Sequence, residues 1–264
     1  MDGCFLNQPD YGNFYHACQF RGKLCHCKKD PGSIPGEFEE PDYPVVSDNA
    51  VVFLREQIMA CPERVTIVAI GPLTNIALLL KVFPETKERI ECISMMGGGI
   101  SHGNSTELAE FNIYADPEAA QIVFNSGLPT IMAGLDVTEK AEVTVREIES
   151  LKEKGRVSRM VGELLSFYNE SGRQFGFTDS PIHDMCAVAY LLEPELFSGE
   201  YQFVNVITDE GRARGLTFAD KRLVCGREKH VLVLEDVDRD RFAAMLFEAL
   251  ERLDGNTAQN VPNA

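Results

Sequence analysis

The sequence predicts an α/β fold built on an open, mostly parallel sheet flanked by helices. Three β-turn-α units in succession predict it, each opening on a short run that is apolar at nearly every position. Val65–Ile70 leads through Gly71 into an apolar helix from Pro72 to about Val82. Ile93–Met96 leads through Gly97, Gly98 and Gly99 and a polar loop into a helix capped by Asp116, with Pro117 at its first position and Gly127 suited to the left-handed stop. Leu128–Thr138 is the third strand, directly after that helix. Strands this apolar are buried on both faces, and such units imply right-handed crossovers.

The remaining elements follow in order. Residues 1–47 show no clean period and form an irregular N-terminal segment. From residue 48 a regular domain begins, with Val51, Val52, Leu54, Ile58 and Met59 at helical spacing, Ser47 or Asp48 as the cap and Pro62 as the stop. Residues 144–172 read as mostly helical, with Met160, Val161, Leu164, Leu165 and Tyr168 as the apolar set. Met185–Leu192 is a short apolar helix that Asp184 can cap. YQFVNVITD, RGLTFADKR and KHVLVLED read as three more strands, and Asp238–Leu253 as a closing amphipathic helix with Phe242, Leu246, Ala249, Leu250 and Leu253 on one face. The domain so defined spans 48–253, and 254–264, without core residues, is expected to be a disordered tail.

Composition narrows the function. A formal charge of −16 over 264 residues lacks the basic stripes that neutralise phosphates, which excludes a nucleic-acid partner. With no apolar run long enough to span a bilayer and no signal peptide, a cytoplasmic protein without a membrane partner is expected. Cys4, Cys18, Cys25 and Cys27 lie near His16 and His26 and are candidates for a zinc site; the C-H-C spacing and the lack of a second pair speak against it. The other cysteines suit reduced, buried thiols.

Two places could carry chemistry. Asn104, Glu110 and Asn112 lie between a strand end and a helix start, where open α/β sheets keep ligands, and such side chains bond hydroxyl groups well. Self-capping of the loop explains them equally. His183-Asp184 could pair a general acid with a hard oxygen ligand for a metal, or Asp184 could only cap its helix while His183 packs. The glycine run matches neither GxGxxG nor the P-loop, and no Gly-x-Ser-x-Gly elbow exists.

Taken together, VAIGPLTNIALLL (68–80), MMGGGISHGNSTELAEFNIYADPEAA (95–120), GLDVT (134–138) and SPIHDMCA (180–187) resemble the calcium-dependent nucleoside hydrolases of the inosine-uridine preferring type, which have a Rossmann-like core. The resemblance implies that Asn104, Glu110 and Asn112 bind the ribose hydroxyls, that Met96 and Phe111 line the sugar pocket, and that His183 helps the base depart. It implies that Asp184 and the backbone carbonyl of Ile70 are Ca2+ ligands, that the partner is a small ribonucleoside, and that the protein is a homo-oligomer, a dimer or tetramer. The function implied is hydrolysis of the N-glycosidic bond of purine or pyrimidine ribosides.

One departure matters. The family's DxDxGxDD stretch, which supplies most calcium carboxylates and the general base, has no counterpart; Asp30-Pro31-Gly32 imitates only a fragment. An N-terminally incomplete sheet with an uncovered edge and an impaired calcium site are therefore expected. The alternative is a non-catalytic ribose- or nucleoside-binding or assembly protein descended from such an enzyme.

Overall fold

Alternation along two neighbouring strands sets the architecture. In β2 (Val65–Ala69), Val65, Ile67 and Ala69 join the large core cluster, whereas Val68 joins a smaller one. In β3 (Ile90–Met96), Ile93 and Met95 point to the large cluster, and Met96 to the small one. Successive side chains of a strand face opposite ways, so the apolar runs seen in the sequence are the two buried faces of one sheet. The computed structural model describes residues 5–7, 47–173, 176–220 and 228–259. These divide into two units: 5–7, 47–138, 183–220 and 228–236 form the first, and 139–173, 176–182 and 237–259 the second.

The first unit holds the sheet. With β1 (Phe5–Asn7), β4 (Thr130–Ala133), β7 (Phe197–Val206), β8 (Thr217–Asp220) and β9 (Val231–Val237), the described strands run β1-β2-β3-β4-β9-β7-β8. The pairs β1–β2, β2–β3, β3–β4 and β4–β9 are parallel, and β7–β8 is antiparallel. Phe5 pairs with Thr66 and Asn7 with Val68, so the flank of β2 expected to be uncovered carries a three-residue strand. Three residues are too few for a periodic signal, and the pairing partner lies some sixty positions away.

Helices cover both faces. Helix α1 (Ala50–Ala60) buries Leu54 and Ile58, and α2 (Thr74–Val82) buries Ile76, Leu79 and Leu80 in the large cluster. Asn49 caps α1, accepting from the amides of Val51 and Val52 at 3.1 Å, in place of the expected Ser47 or Asp48. The Ser47 hydroxyl instead accepts from the Asn49 amide. Helix α2 starts at Thr74, two residues after Pro72. Helices α3 (Phe111–Ala115) and α4 (Pro117–Phe124) follow β3, and Asp116 caps α4 through the Ala119 amide as expected. Gly127 is left-handed at φ +80°. β4 ends at Ala133, and Leu135–Thr138 is a one-turn helix, α5, where the sequence suggested continuing strand.

The second unit joins β5 (Glu142–Val143), β6 (Ser180–Pro181), α6 (Val145–Lys152), α7 (Arg156–Gly172) and α9 (Arg239–Gln259); α8 (Met185–Leu192) belongs to the first. The expected long helix breaks at Gly155, whose lack of a side chain leaves α7 uncapped from within. Asp254 of α9 supplies the cap, accepting from the Val157 amide at 2.7 Å and the Ser158 hydroxyl at 2.5 Å. Helix α9 thus continues past Leu253 into the stretch expected to be a tail. Along α7, Met160 and Tyr168 are exposed while Ser158, Gly162 and Asn169 are buried, so helical spacing alone misassigned the inner face. Among the described residues no helix is long and apolar enough to cross a membrane.

At the N-terminus of α6, Thr144 and Glu147 form a capping box, and Arg239 binds the same Glu147 carboxylate, with Nη1 2.9 Å from Oε1 and Nη2 on Oε2. The Arg239 guanidinium, aided by Thr144, pulls the Glu147 carboxyl down to about 2 against burial. A depressed carboxyl stabilises the fold above its unfolded value, near 4.5, and that contribution fades as pH falls toward 2. Glu147→Gln is expected to cost about 1–2 kcal/mol at pH 7, discounted because both side chains stay partly wet, and almost nothing at pH 2. Urea titrations of both proteins across that range check it.

Candidate functional site

Parallel strands place their carboxyl ends on one edge. Ala69 pairs with Met95, so Ile70 lies beside Met96 at that edge, and Met96 pairs with Ala133 of β4. Past Met96 the chain turns through Gly98 at φ +79°, where an added Cβ would meet Met132 Cε at 2.7 Å; only glycine fits this turn without displacement. The Gly97 amide donates to Ala133 O, and Leu135 N donates to Gly98 O at 2.8 Å, which ties the turn to the end of β4.

Glu110 organises the loop that follows. It is 3% exposed and its Oε2 accepts three backbone amides: Gly98 and Asn112 at 2.9 Å, and Ile113 at 3.2 Å. The carboxylate thereby caps α3 and fastens that helix to the end of β3. Oε1 takes no hydrogen bond from a described residue. Burial raises the Glu110 pKa, its three amide donors pull the other way, and the negative charge of Asp184 adds to the rise.

Asn112 and Asn104 are each held by one end. Asn112 Nδ2 donates to Met96 O at 3.1 Å, leaving Oδ1 uncommitted, and Asn104 Oδ1 accepts from the Phe111 amide at 2.9 Å, leaving Nδ2 uncommitted. Because each partner is an unambiguous donor or acceptor, both amide orientations are fixed. Asn112 and Met96 are buried; Asn104 and Phe111 are exposed. The expected self-capping of the loop therefore exists, and each of its three polar side chains still keeps one free polar atom.

The second cluster comes from α8, which packs through Ala187 against Val68, Met96 and Leu135. The Ser94 hydroxyl in β3 fixes it, donating to Ala187 O at 2.7 Å. Asp184 occupies the N-cap position of α8, yet its side chain makes no cap bond and accepts none from any described residue. The simple capping explanation for Asp184 therefore fails. Asp184 is exposed, yet the surrounding protein desolvates its carboxyl enough to raise its pKa. His183 Nδ1 lies 2.7 Å from the hydroxyl of Thr138, a fully buried residue of α5.

Two site neighbours escaped the sequence reading. Asp136 accepts from the amides of Ile100 at 2.6 Å and Ser101 at 3.0 Å. Burial would raise its pKa, but these donors and the Ser101 side chain outweigh it and the carboxyl is lowered. Thr138 holds His183 from 45 positions away, a pairing with no local signature. Asp136 could have been suspected from its place in the GLDVT stretch, directly after a strand end.

Among the described residues, the oxygen donors here suit a hard cation in kind and fall short in number. Asp184 offers a carboxylate, and the Ile70 carbonyl accepts no hydrogen bond from a described residue. Ca2+ takes about 6–8 oxygens, and no group of three His, Cys, Asp or Glu able to hold a metal occurs among the described residues. The Cys/His cluster of residues 4–27 lies outside the described residues.

A carboxyl whose folded pKa is raised gives stability below its unfolded value that is lost as pH climbs through the folded one. Asp184→Asn is therefore expected to raise the Tm in chelator at pH 7, with a gain that shrinks as pH approaches 3.5. Thermal melts across that range check both the sign and the trend.

Residues 18–244 match the family described as inosine-uridine preferring nucleoside hydrolase, a match that opens within the segment set apart as 1–47. The pyrimidine-specific ribonucleoside hydrolase RihA of Citrobacter koseri is 44% identical over 214 residues, 80% of this chain and 69% of that protein. Its namesake from Salmonella typhi is 42% identical over 215 residues, with the same coverage. The structure of a purine-preferring ribonucleoside hydrolase from Gardnerella vaginalis superposes with a TM-score of 0.74 at 31% identity, over 84% of this chain and 70% of that one. The chain belongs to the inosine-uridine preferring nucleoside hydrolase family.

Proposed function

We propose that this chain binds ribonucleosides, pyrimidine ribosides before purine ones, as a nucleoside N-ribohydrolase whose turnover is limited by a depleted cation site. The observation that carries the ribose reading is the trio of uncommitted atoms: Glu110 Oε1 and Asn112 Oδ1 as acceptors, Asn104 Nδ2 as donor. Two acceptors and one donor match a vicinal diol, whose hydroxyls each donate once and accept. Met96 and Phe111 supply apolar contact to the sugar. The pyrimidine preference rests on the specificity named for the RihA relatives.

In the hydrolysis, water forms a bond to C1′ as the C1′–N bond breaks, the pair of electrons leaves with the base, and the added water gives up its surplus proton to solvent. His183, steadied through Nδ1 by Thr138, supplies the proton that the departing base needs, a contribution of typically ~10² to 10⁴-fold. Calcium is the cation expected of the family; Asp184 and the Ile70 carbonyl would hold it, and two oxygens among the described residues argue for weak binding. The same shortage favours a second reading, a ribose-binding protein without turnover. A cytoplasmic setting accords with the free thiols of Cys61 and Cys92. Self-association accords with the exposed apolar side chains Val52 and Met59 on α1 and Leu78 and Val82 on α2.

Calorimetry and a hydrolysis assay on the 264-residue chain test the proposal. Uridine is expected to bind about 10–100-fold more tightly than 2′-deoxyuridine, since a lost hydrogen bond to a charged acceptor is worth about 1.5–3 kcal/mol. Equal affinities, or none, would remove the ribose site. With millimolar calcium, turnover is expected below ~10⁻² s⁻¹, under the usual range for enzymes. A rate near ~1 s⁻¹ that disappears in Asp184→Asn would contradict the depleted site.

A further inference from the structure

The turn between β7 and β8 packs against the polar loop and the helices that follow it. Its own fold is closed by Gly215 N donating to Ile207 O at 2.8 Å and Ile207 N donating to Leu216 O at 3.0 Å. From it Arg214 forms a two-pronged pair with Glu118 in the first turn of α4, Nη1 to Oε1 and Nη2 to Oε2 both at 2.8 Å, and also donates to Thr208 O across the turn. The Arg214 side chain is only 14% exposed, so the pair is shielded on its basic side. A planar, bidentate pair of this kind fixes orientation as well as distance.

Gly215, next in sequence, sits at φ +83°, where an added Cβ would lie 3.1 Å from Ala109 Cβ and 3.2 Å from Tyr114 Cα. Ala109 is the hub of the polar loop, because its carbonyl accepts the amides of Asn104, Ser105 and Thr106. Tyr114 belongs to α3, the helix that Glu110 caps. Two residues on, the buried Thr217 lies against Gly98: a Cβ at Gly98 would meet Thr217 Oγ1 at 3.0 Å. At the tip, Arg212 reaches Glu107 at 3.1 Å, a wholly exposed pair of little consequence.

We propose that the 207–217 turn is the positioning element of the 104–112 loop, with Arg214 and Gly215 its positioning residues, so that hydroxyl discrimination is set partly by side chains that never touch the sugar. Arg214 is paired with α4, Gly215 lets the turn close onto Ala109 and Tyr114, and Thr217 packs beside Gly98, whose amide Glu110 binds. The discrimination clause rests on the ribose reading above; the positioning itself does not.

Amide hydrogen exchange on the ligand-free chain tests it without a ligand. Arg214→Ala is expected to speed exchange at Gly98, Asn112 and Ile113 by about 10-fold or more, leaving Ile67, Met95 and Met132 in the sheet unchanged. Arg214→Lys, which keeps the charge and loses the fork, is expected to fall between, and Glu118→Gln gives a milder lesion if Arg214→Ala does not fold. Unchanged site amides, or site and sheet amides rising together, would overturn the proposal. In the same variants the preference for uridine over 2′-deoxyuridine is expected to drop at least ~3-fold at unaltered secondary structure. A wild-type chain that binds no riboside would sink the ribose reading, and exchange would still decide the positioning.

Discussion

One carboxylate oxygen holds the functional edge of this protein together. Glu110 Oε2 gathers the amides of Gly98, Asn112 and Ile113, and so joins the end of a central strand to the start of a new helix. Burying a carboxylate is costly unless donors surround it, and these three donors are backbone groups that the turn would otherwise leave unsatisfied. The bond set therefore answers two needs at once, those of the carboxylate and those of the peptide amides. Its consequence for function is geometric: with Oε2 committed, Oε1 is fixed in place and still able to accept.

Asp184 presents the opposite case. Its carboxyl is desolvated without a donor, and its charge adds to the rise at Glu110. A fold gains nothing from such an arrangement by itself, and unsatisfied charge of this kind gathers where a ligand is to be met. The positive charge that would relieve it has few other oxygens to bind among the described residues. The Glu110 side of this edge is thus satisfied from within the chain, and the Asp184 side, among the described residues, is not.

The sheet was legible because burial on two faces leaves a near-continuous apolar run, as in Val65–Ala69 and Ile93–Met96. Asp116 was legible as a cap because N-capping is local chemistry, and its amide bond to Ala119 follows. Helix α3 was not, since Phe111–Ala115 is too short to carry a period and depends on Glu110 for its start. The order of failure is physical: what depends on partners far along the chain leaves no local mark. Thr138 under His183, Asp254 capping α7, and Arg214 on Glu118 all lie 45 to 97 positions from their partners. Family resemblance named Asn104, Glu110 and Asn112 together, but the division of each into a committed and an uncommitted atom required coordinates.

The most direct measurement is a crystal structure of this chain with D-ribose or uridine bound. The account predicts that Glu110 Oε2 keeps its three amides while Oε1, Asn112 Oδ1 and Asn104 Nδ2 each come within about 3.2 Å of a sugar hydroxyl. A sugar bound elsewhere, or a Glu110 side chain that leaves Gly98 to reach it, would contradict the claim that the loop is preformed for ribose.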